Sequence, residues 1–315
     1  MKSPHPFLLA GTIALVTFYA CNKATNPQPP VHDTITVTKT DTLVLPPVND
    51  TPNLTEGLVL YLPFNGSFAD SSGNNNTVTP LYGAALGYDL HGYANSAFSS
   101  SGNGARLVVA NNGSYAVDTA FSLSFDFVIR SNAYYGGGGN YTGLMVFMSI
   151  VDTATGNGPT FDVGLTTPSA PQDFTFGVNS ASSGCGSTGD NNPQDVGGGP
   201  TSFVPQIGSW YNAICIFTPG TLSEYINGKL VGTSTNLNSS ALFCPNANFV
   251  VGAWWSGGNN PSNLESFNGE LDEIRMYNRT LTAQQIAWLS RNFQPTSTKA
   301  SPGIKNGGSP GIGVN

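Results

Sequence analysis

The densest run of chemistry-bearing side chains in the sequence is Glu270-Leu271-Asp272-Glu273, in a chain where only 9% of residues are charged. Carboxylates two apart on a β-strand share a face. A retaining glycosidase needs two such groups about 5 Å apart, one as nucleophile and one as acid/base. Counting from Glu270 at i, i+2 and i+4, or i+5 with a bulge, the positions are Asp272 and then Ile274 or Arg275. The third carboxylate is missing and Glu273 falls on the opposite face, so hydrolysis is not expected. The three histidines are His5, His32 and His91, and the first two precede any foldable region. A zinc site or a His-based triad is therefore excluded. The Gly136 to Gly139 run lacks the Lys-Ser/Thr and helix of a phosphate loop, and no nucleophile elbow occurs in a strand-to-helix context.

Aromatic side chains in turn-rich contexts are the candidates for ligand contact. Trp254-Trp255 precede Ser256-Gly257-Gly258-Asn259-Asn260, and Tyr134, Tyr135 and Tyr141 flank the Gly136 to Gly139 run. An exposed indole or phenol can stack on a sugar ring while a nearby amide such as Asn259 bonds its hydroxyls. Each of these rings can equally serve as rim packing. Of the four cysteines, Cys215 lies in the apolar run Ala213-Ile214-Cys215-Ile216-Phe217 and reads as a small buried hydrophobe. Cys185 and Cys244 sit in loop-like contexts, and a Cys185–Cys244 disulfide is expected in an oxidising compartment, with free thiols the alternative.

The compartment follows from the N-terminus. Lys2 precedes an apolar run from Phe7 to Phe18, which matches a secretory signal and is too short to span a bilayer. Phe18-Tyr19-Ala20-Cys21 resembles the lipobox of bacterial lipoproteins, although Phe18 and Tyr19 depart from the preferred residues. Cleavage before Cys21 and lipidation there are expected, with simple secretion as the alternative. Residues 21–55 form a Pro- and Thr-rich spacer and 294–315 a tail without apolar periodicity. The balance of 11 basic against 18 acidic residues leaves no footprint for nucleic acid.

The remaining region, 56–293, must position these groups, and its dominant pattern is period two. In Phe121-Ser122-Leu123-Ser124-Phe125-Asp126-Phe127-Val128-Ile129 the odd positions are apolar, predicting one face on a core and one toward solvent. Similar runs begin at Leu58, Leu107, Leu144, Phe174, Trp210, Leu222 and Phe249, and Gly, Asn, Pro and Ser separate them. Asn227-Gly228 marks a type I′ hairpin. Thr282 and Gln285 form a capping box, and Leu281 with Ile286 a hydrophobic staple, predicting one helix over about 283–291. The fold class expected is all-β: a two-sheet antiparallel sandwich with one short C-terminal helix.

Gly57-Leu58-Val59-Leu60-Tyr61-Leu62-Pro63-Phe64-Asn65-Gly66, Ala69-Asp70-Ser71-Ser72-Gly73-Asn74, the Tyr225 to Leu230 hairpin and Phe267 to Arg279 followed by Leu281-Thr282 together resemble the laminin-G-like members of the concanavalin A-like lectin/glucanase superfamily. The resemblance implies a jelly roll whose first and last strands pair. It also implies a structural calcium ion held near Asp70, Gly73 and Asn76 and by Asp272, although Thr77-Val78 depart from the pattern after Asn76. Strict alternation would turn Asp272 inward with Ile274 and Met276 unless a bulge at Gly269 resets the phase, and a buried carboxylate needs a cation or several donors. Without metal, the same residues would give an Asx-turn at Asp70 and an Asp272–Arg275 or Asp272–Arg279 ion pair. The function expected is a monomeric, non-catalytic module on the cell envelope. It would bind glycan or another surface polymer and meet the membrane only through its lipid. A protein-binding adhesive module and a glucanase-type hydrolase are the alternatives.

Overall fold

The computed structural model describes residues 51–114, 119–131, 145–152, 160–165, 173–178, 203–235, 244, 247–254 and 265–293. Six strands come first: β1 (Leu58–Leu62), β2 (Val78–Leu81), β3 (Ala85–Tyr88), β4 (Ala94–Ser101), β5 (Arg106–Val109) and β6 (Phe121–Ile129). Then follow β7 (Met145–Asp152), β8 (Phe161–Leu165), β9 (Phe174–Val178), β10 (Trp210–Thr218), β11 (Thr221–Ile226) and β12 (Lys229–Thr235). The chain continues through β13 (Ala247–Val251), β14 (Ala253–Trp254), β15 (Glu265–Ser266), β16 (Asn268–Tyr277) and helix α1 (Ala283–Leu289).

The larger sheet runs β12-β11-β10-β6-β16-β4-β3, with β1 also on β16; the smaller runs β2-β5-β13-β7-β8-β9. All pairings in both are antiparallel. Their inner faces enclose a core rich in phenylalanine, with Phe127 and Phe147 ring centroids 5.1 Å apart and Phe147 and Phe267 4.8 Å apart. The expected sandwich and the pairing of first and last strands are both present. Pro80 sits in β2, an outermost strand of its sheet, where a residue without an N–H is tolerated.

The expectation that the even positions of β6 face solvent is corrected: all nine residues are buried. The outer face of the larger sheet is covered by a second apolar cluster, in which Ile214, Ile216 and Tyr277 pack with Leu281, Ile286 and Leu289. Leu281 and Ile286 are the expected staple. The helix begins as predicted, with Thr282 and Gln285 making the reciprocal capping box, and ends two residues early at Leu289, with Ser290 as its C-cap and a 3₁₀ turn over Arg291–Phe293 beyond. Ser122 shows why its hydroxyl tolerates this cover: it donates to the Arg279 carbonyl at 2.9 Å and accepts from the Leu281 N–H at 3.1 Å.

The 70–76 loop lies along the edge of β1 that β16 leaves open. Asp70 accepts from the Tyr61 N–H at 3.0 Å, and Ser71 N–H donates to the Tyr61 carbonyl at 2.8 Å. Asn74 and Asn76 donate their side-chain amides to the Leu58 and Val59 carbonyls. A polar loop thus takes the place of a neighbouring strand, satisfying backbone groups that an edge would leave unpaired. Asp70→Ala removes the centre of this arrangement; charge-assisted hydrogen bonds of this kind are individually worth about 1.5–3 kcal/mol. The expected outcome is a loss of about 2 kcal/mol in urea unfolding, with the midpoint lowered and the slope unchanged.

Candidate functional site

Strand β16 carries the carboxylates singled out in the sequence, and its register decides where they go. Leu271 pairs with Phe127 and Asp272 with Asp126, but the next pair is Arg275 with Ser124. The extra residue is a β-bulge at Glu273, whose φ is +53°. Leu271 and Ile274 therefore both reach the core, and Asp272 is placed on the outer face beside Asp126, not inward. The phase change occurs at Glu273 and not at Gly269. Gly269 is needed for a different reason: a Cβ there would lie 2.0 Å from the Val128 carbonyl oxygen.

The bulge also brings Glu273 off the opposite face expected for it. It forms an ion pair with Arg275, accepts the Tyr61 hydroxyl at 3.1 Å, and joins Asp126 in lining one recess. That recess has a volume of about 120 Å³, with Asn212, Arg275, Trp288 and Arg291 among its walls. Neither alternative ion pair of Asp272 is formed: Arg275 pairs with Glu273, and the Arg279 Nε–H donates to the Glu56 carbonyl at 2.8 Å. Glu270 is paired with Arg130. The Ser290 hydroxyl donates to Asn212 Oδ1 at 2.8 Å, and the Asn212 amide donates to Asp126 Oδ1 at 2.8 Å.

Burial shifts both aspartates toward their neutral forms. Desolvation, only partly offset by the Asn212 hydrogen bond, pushes Asp126 up to about 7. Desolvation and the neighbouring Glu273 carboxylate push Asp272 up to about 8. Burial likewise raises the Tyr61 and Tyr277 phenols. Two cross-strand carboxyl groups titrating near neutrality have proton-transfer chemistry available. The space does not match it, because ligand pockets usually offer about 300–1,000 Å³. The recess suits fastening the C-terminal segment to the sheet better than holding a pyranose.

The expected calcium ligands do not offer a cation site as they stand. Asp70 Oδ1 accepts the Tyr61 and Ser72 N–H groups, while Oδ2 accepts the Ser72 hydroxyl, the Asn76 N–H and the Asn76 amide. Five donors occupy the roughly four lone-pair sites of a carboxylate. Asn76 Oδ1 accepts from Ser114, Gly73 contributes a turn at φ +90°, and Asp272 accepts from the Glu273 N–H. Among the described residues no group of three His, Cys, Asp or Glu is placed to hold a metal. The Asx-turn at Asp70, made by the Ser72 N–H, is present.

The ligand-contact candidates fall elsewhere. Trp254 lies in β14, its backbone paired with Glu265 of β15. Tyr134, Tyr135, Tyr141, Trp255 and Asn259 lie outside the described residues, as do Cys21 and Cys185. Cys244 is buried. Cys215 is a free thiol, pushed up by burial, and packs as the small hydrophobe its sequence context suggests. Sequence reasoning missed Asp126, Asn212 and Ser290. Asp126 did carry a signal, as a carboxylate flanked by Phe125 and Phe127 in a strand whose odd positions are all apolar.

Residues 147–287 match a laminin G family model described as the concanavalin A-like lectin/glucanases superfamily. The match runs from within β7 to within α1, so the first-strand residues that resemble the family lie outside it. No curated relative matches the sequence. Among solved structures, the binding domain of botulinum neurotoxin serotype C1 is similar, with a TM-score of 0.52 and 16% identity over 78% of this chain and 54% of that one. So is the binding domain of botulinum neurotoxin DC in complex with SialylT, with a TM-score of 0.51 and 16% identity, covering 76% and 52%. The same domain in complex with rat synaptotagmin II gives 0.52 and 18%, covering 76% and 52%. The chain spans about half the length of these structures, and at such identities its likeness to them is one of fold.

The carboxyl pair gives the domain a distinctive pH response. Unfolded aspartates titrate near 4 and the folded pair at about 7 and about 8, so between those values the native state holds more protons. Stability contributed by the pair is full below about pH 4 and is lost as pH rises through about 8. The Asp126→Asn/Asp272→Asn double variant should therefore show a flatter decline in thermal midpoint from pH 5 to pH 9 than the parent, and parallel profiles would contradict the assignment.

Proposed function

We propose that this chain is a non-catalytic binding module that takes glycans at the bacterial cell envelope. The observation that carries the reading is the sandwich it shares with botulinum neurotoxin binding domains, over about three quarters of its length. One of these is in complex with SialylT, and another concerns cell entry through two ganglioside molecules. The internal engagement of Asp126, Asp272, Glu273 and Glu270 supports a role without hydrolysis. A protein partner is the second reading, favoured by the neighbour in complex with rat synaptotagmin II. In this proposal Cys21 carries the lipid, residues 21–55 space the domain from the outer membrane, and a Cys185–Cys244 disulfide braces the loops.

The test is a panel of polysaccharides and glycans probed with the full chain, with reducing-end release followed in the same wells. Saturable binding, no release and no effect of EDTA are expected. Release of reducing ends would overturn the non-catalytic reading, and loss of binding in EDTA would restore a metal to the site. The anchoring proposal is checked in cells: the protein should fractionate with membranes and carry a lipid mass at Cys21, both lost in Cys21→Ser.

A further inference from the structure

We infer that the tip of the β3–β4 hairpin is a carbohydrate-contact site, in which Tyr88 and Tyr93 stack on the pyranose rings of a neutral glycan. The inference rests on the glycan reading above and assigns residues to it. Tyr88 is 60% exposed and Tyr93 67%, the two most exposed large apolar side chains among the described residues. His91, also exposed, places its ring 6.3 Å from that of Tyr93. Among the described residues the phenylalanines, by contrast, are largely consumed by the core.

The tip is preorganised. Asp89 Oδ1 accepts the His91 N–H at 2.9 Å and the Tyr93 N–H at 2.7 Å. The backbone closes the same turn, with Asp89 N–H donating to the Tyr93 carbonyl and Gly92 N–H to that of Asp89, each at 3.1 Å. A ligand meeting these rings therefore pays little to order the loop that carries them.

The chemistry of the tip selects the occupant. From Tyr82 to Tyr93 the chain has no Lys or Arg, and the one carboxylate, Asp89, is turned onto backbone donors. A polyanion finds no counter-charge there. Large aromatic rings bury about 150–250 Å² each, so two phenols and an imidazole fall short of the roughly 800 Å² per partner of a stable protein interface. Flanking Ala85, Gly87, Gly92 and Ala94 add little apolar area, and Leu90 in the turn, partly buried, does not close the gap. A sugar fits: its C–H face stacks on a phenol, and its hydroxyls meet the tyrosine hydroxyls and the His91 nitrogens.

The experiment compares the full chain with its Tyr88→Ala/Tyr93→Ala and Tyr88→Phe/Tyr93→Phe double variants on neutral polysaccharides, each first shown by thermal melting to be folded. The alanine variant should bind about tenfold more weakly or worse, a factor of ten being about 1.4 kcal/mol, and the phenylalanine variant within about threefold of the parent. Unchanged affinity in the alanine variant would overturn this site while leaving the glycan reading in place. A folded parent that binds no glycan would overturn both. Loss of an anionic polysaccharide or a protein partner in the alanine variant, without loss of neutral glycan, would overturn the assignment of the occupant.

Discussion

The bulge at Glu273 is the constraint on which the larger sheet depends. Strand β16 lies against β6 along one side and against β4 and then β1 along the other, so it must keep its apolar residues on the core face for its whole length. Leu271, Ile274 and Met276 all meet that requirement, although an unbroken strand cannot turn positions three apart to the same side. A glutamate held at φ +53° costs about 1–3 kcal/mol. Its carboxylate is tied to Arg275 and to the Tyr61 hydroxyl, which bind the strained residue to its own strand and to β1.

The same shift sets a second acid beside Asp126, which lies under the helix. Asp126, opposite Asp272 on the outer face, lines the recess walled by Trp288 and Leu289 of α1, and Asp272 is buried beside it. Neutralisation is the cheaper course for carboxyl groups so enclosed. The chain of hydrogen bonds from Ser290 through Asn212 to Asp126 then links the end of α1 to the centre of the sheet. Helix docking and sheet register are coupled through a few buried polar atoms.

Much of this was legible in the residues themselves. Alternation in β6, the Asn227-Gly228 turn and the Thr282–Gln285 box are local codes, and each produced its element. Strands β2, β3 and β4 were harder to see because each has only one or two large side chains among small residues or a proline, too few to mark a period. The direction of Asp272 and the burial of Ser122, Ser124 and Asp126 were misread for one reason. Both depend on a bulge and on a covering helix, and neither is encoded in the strand that responds to them. The exposed tyrosines of the β3–β4 turn carried no signal, since exposure is a property of the finished surface.

The loop at residues 70–76 has a consequence beyond the strand it lines. An open edge on β1 would be available to other copies of the same chain wherever many come close together. By occupying that edge with aspartate, serine and asparagine side chains, the domain removes a template for sheet extension from copy to copy. Crowding can then raise the density of such domains without joining them through this edge.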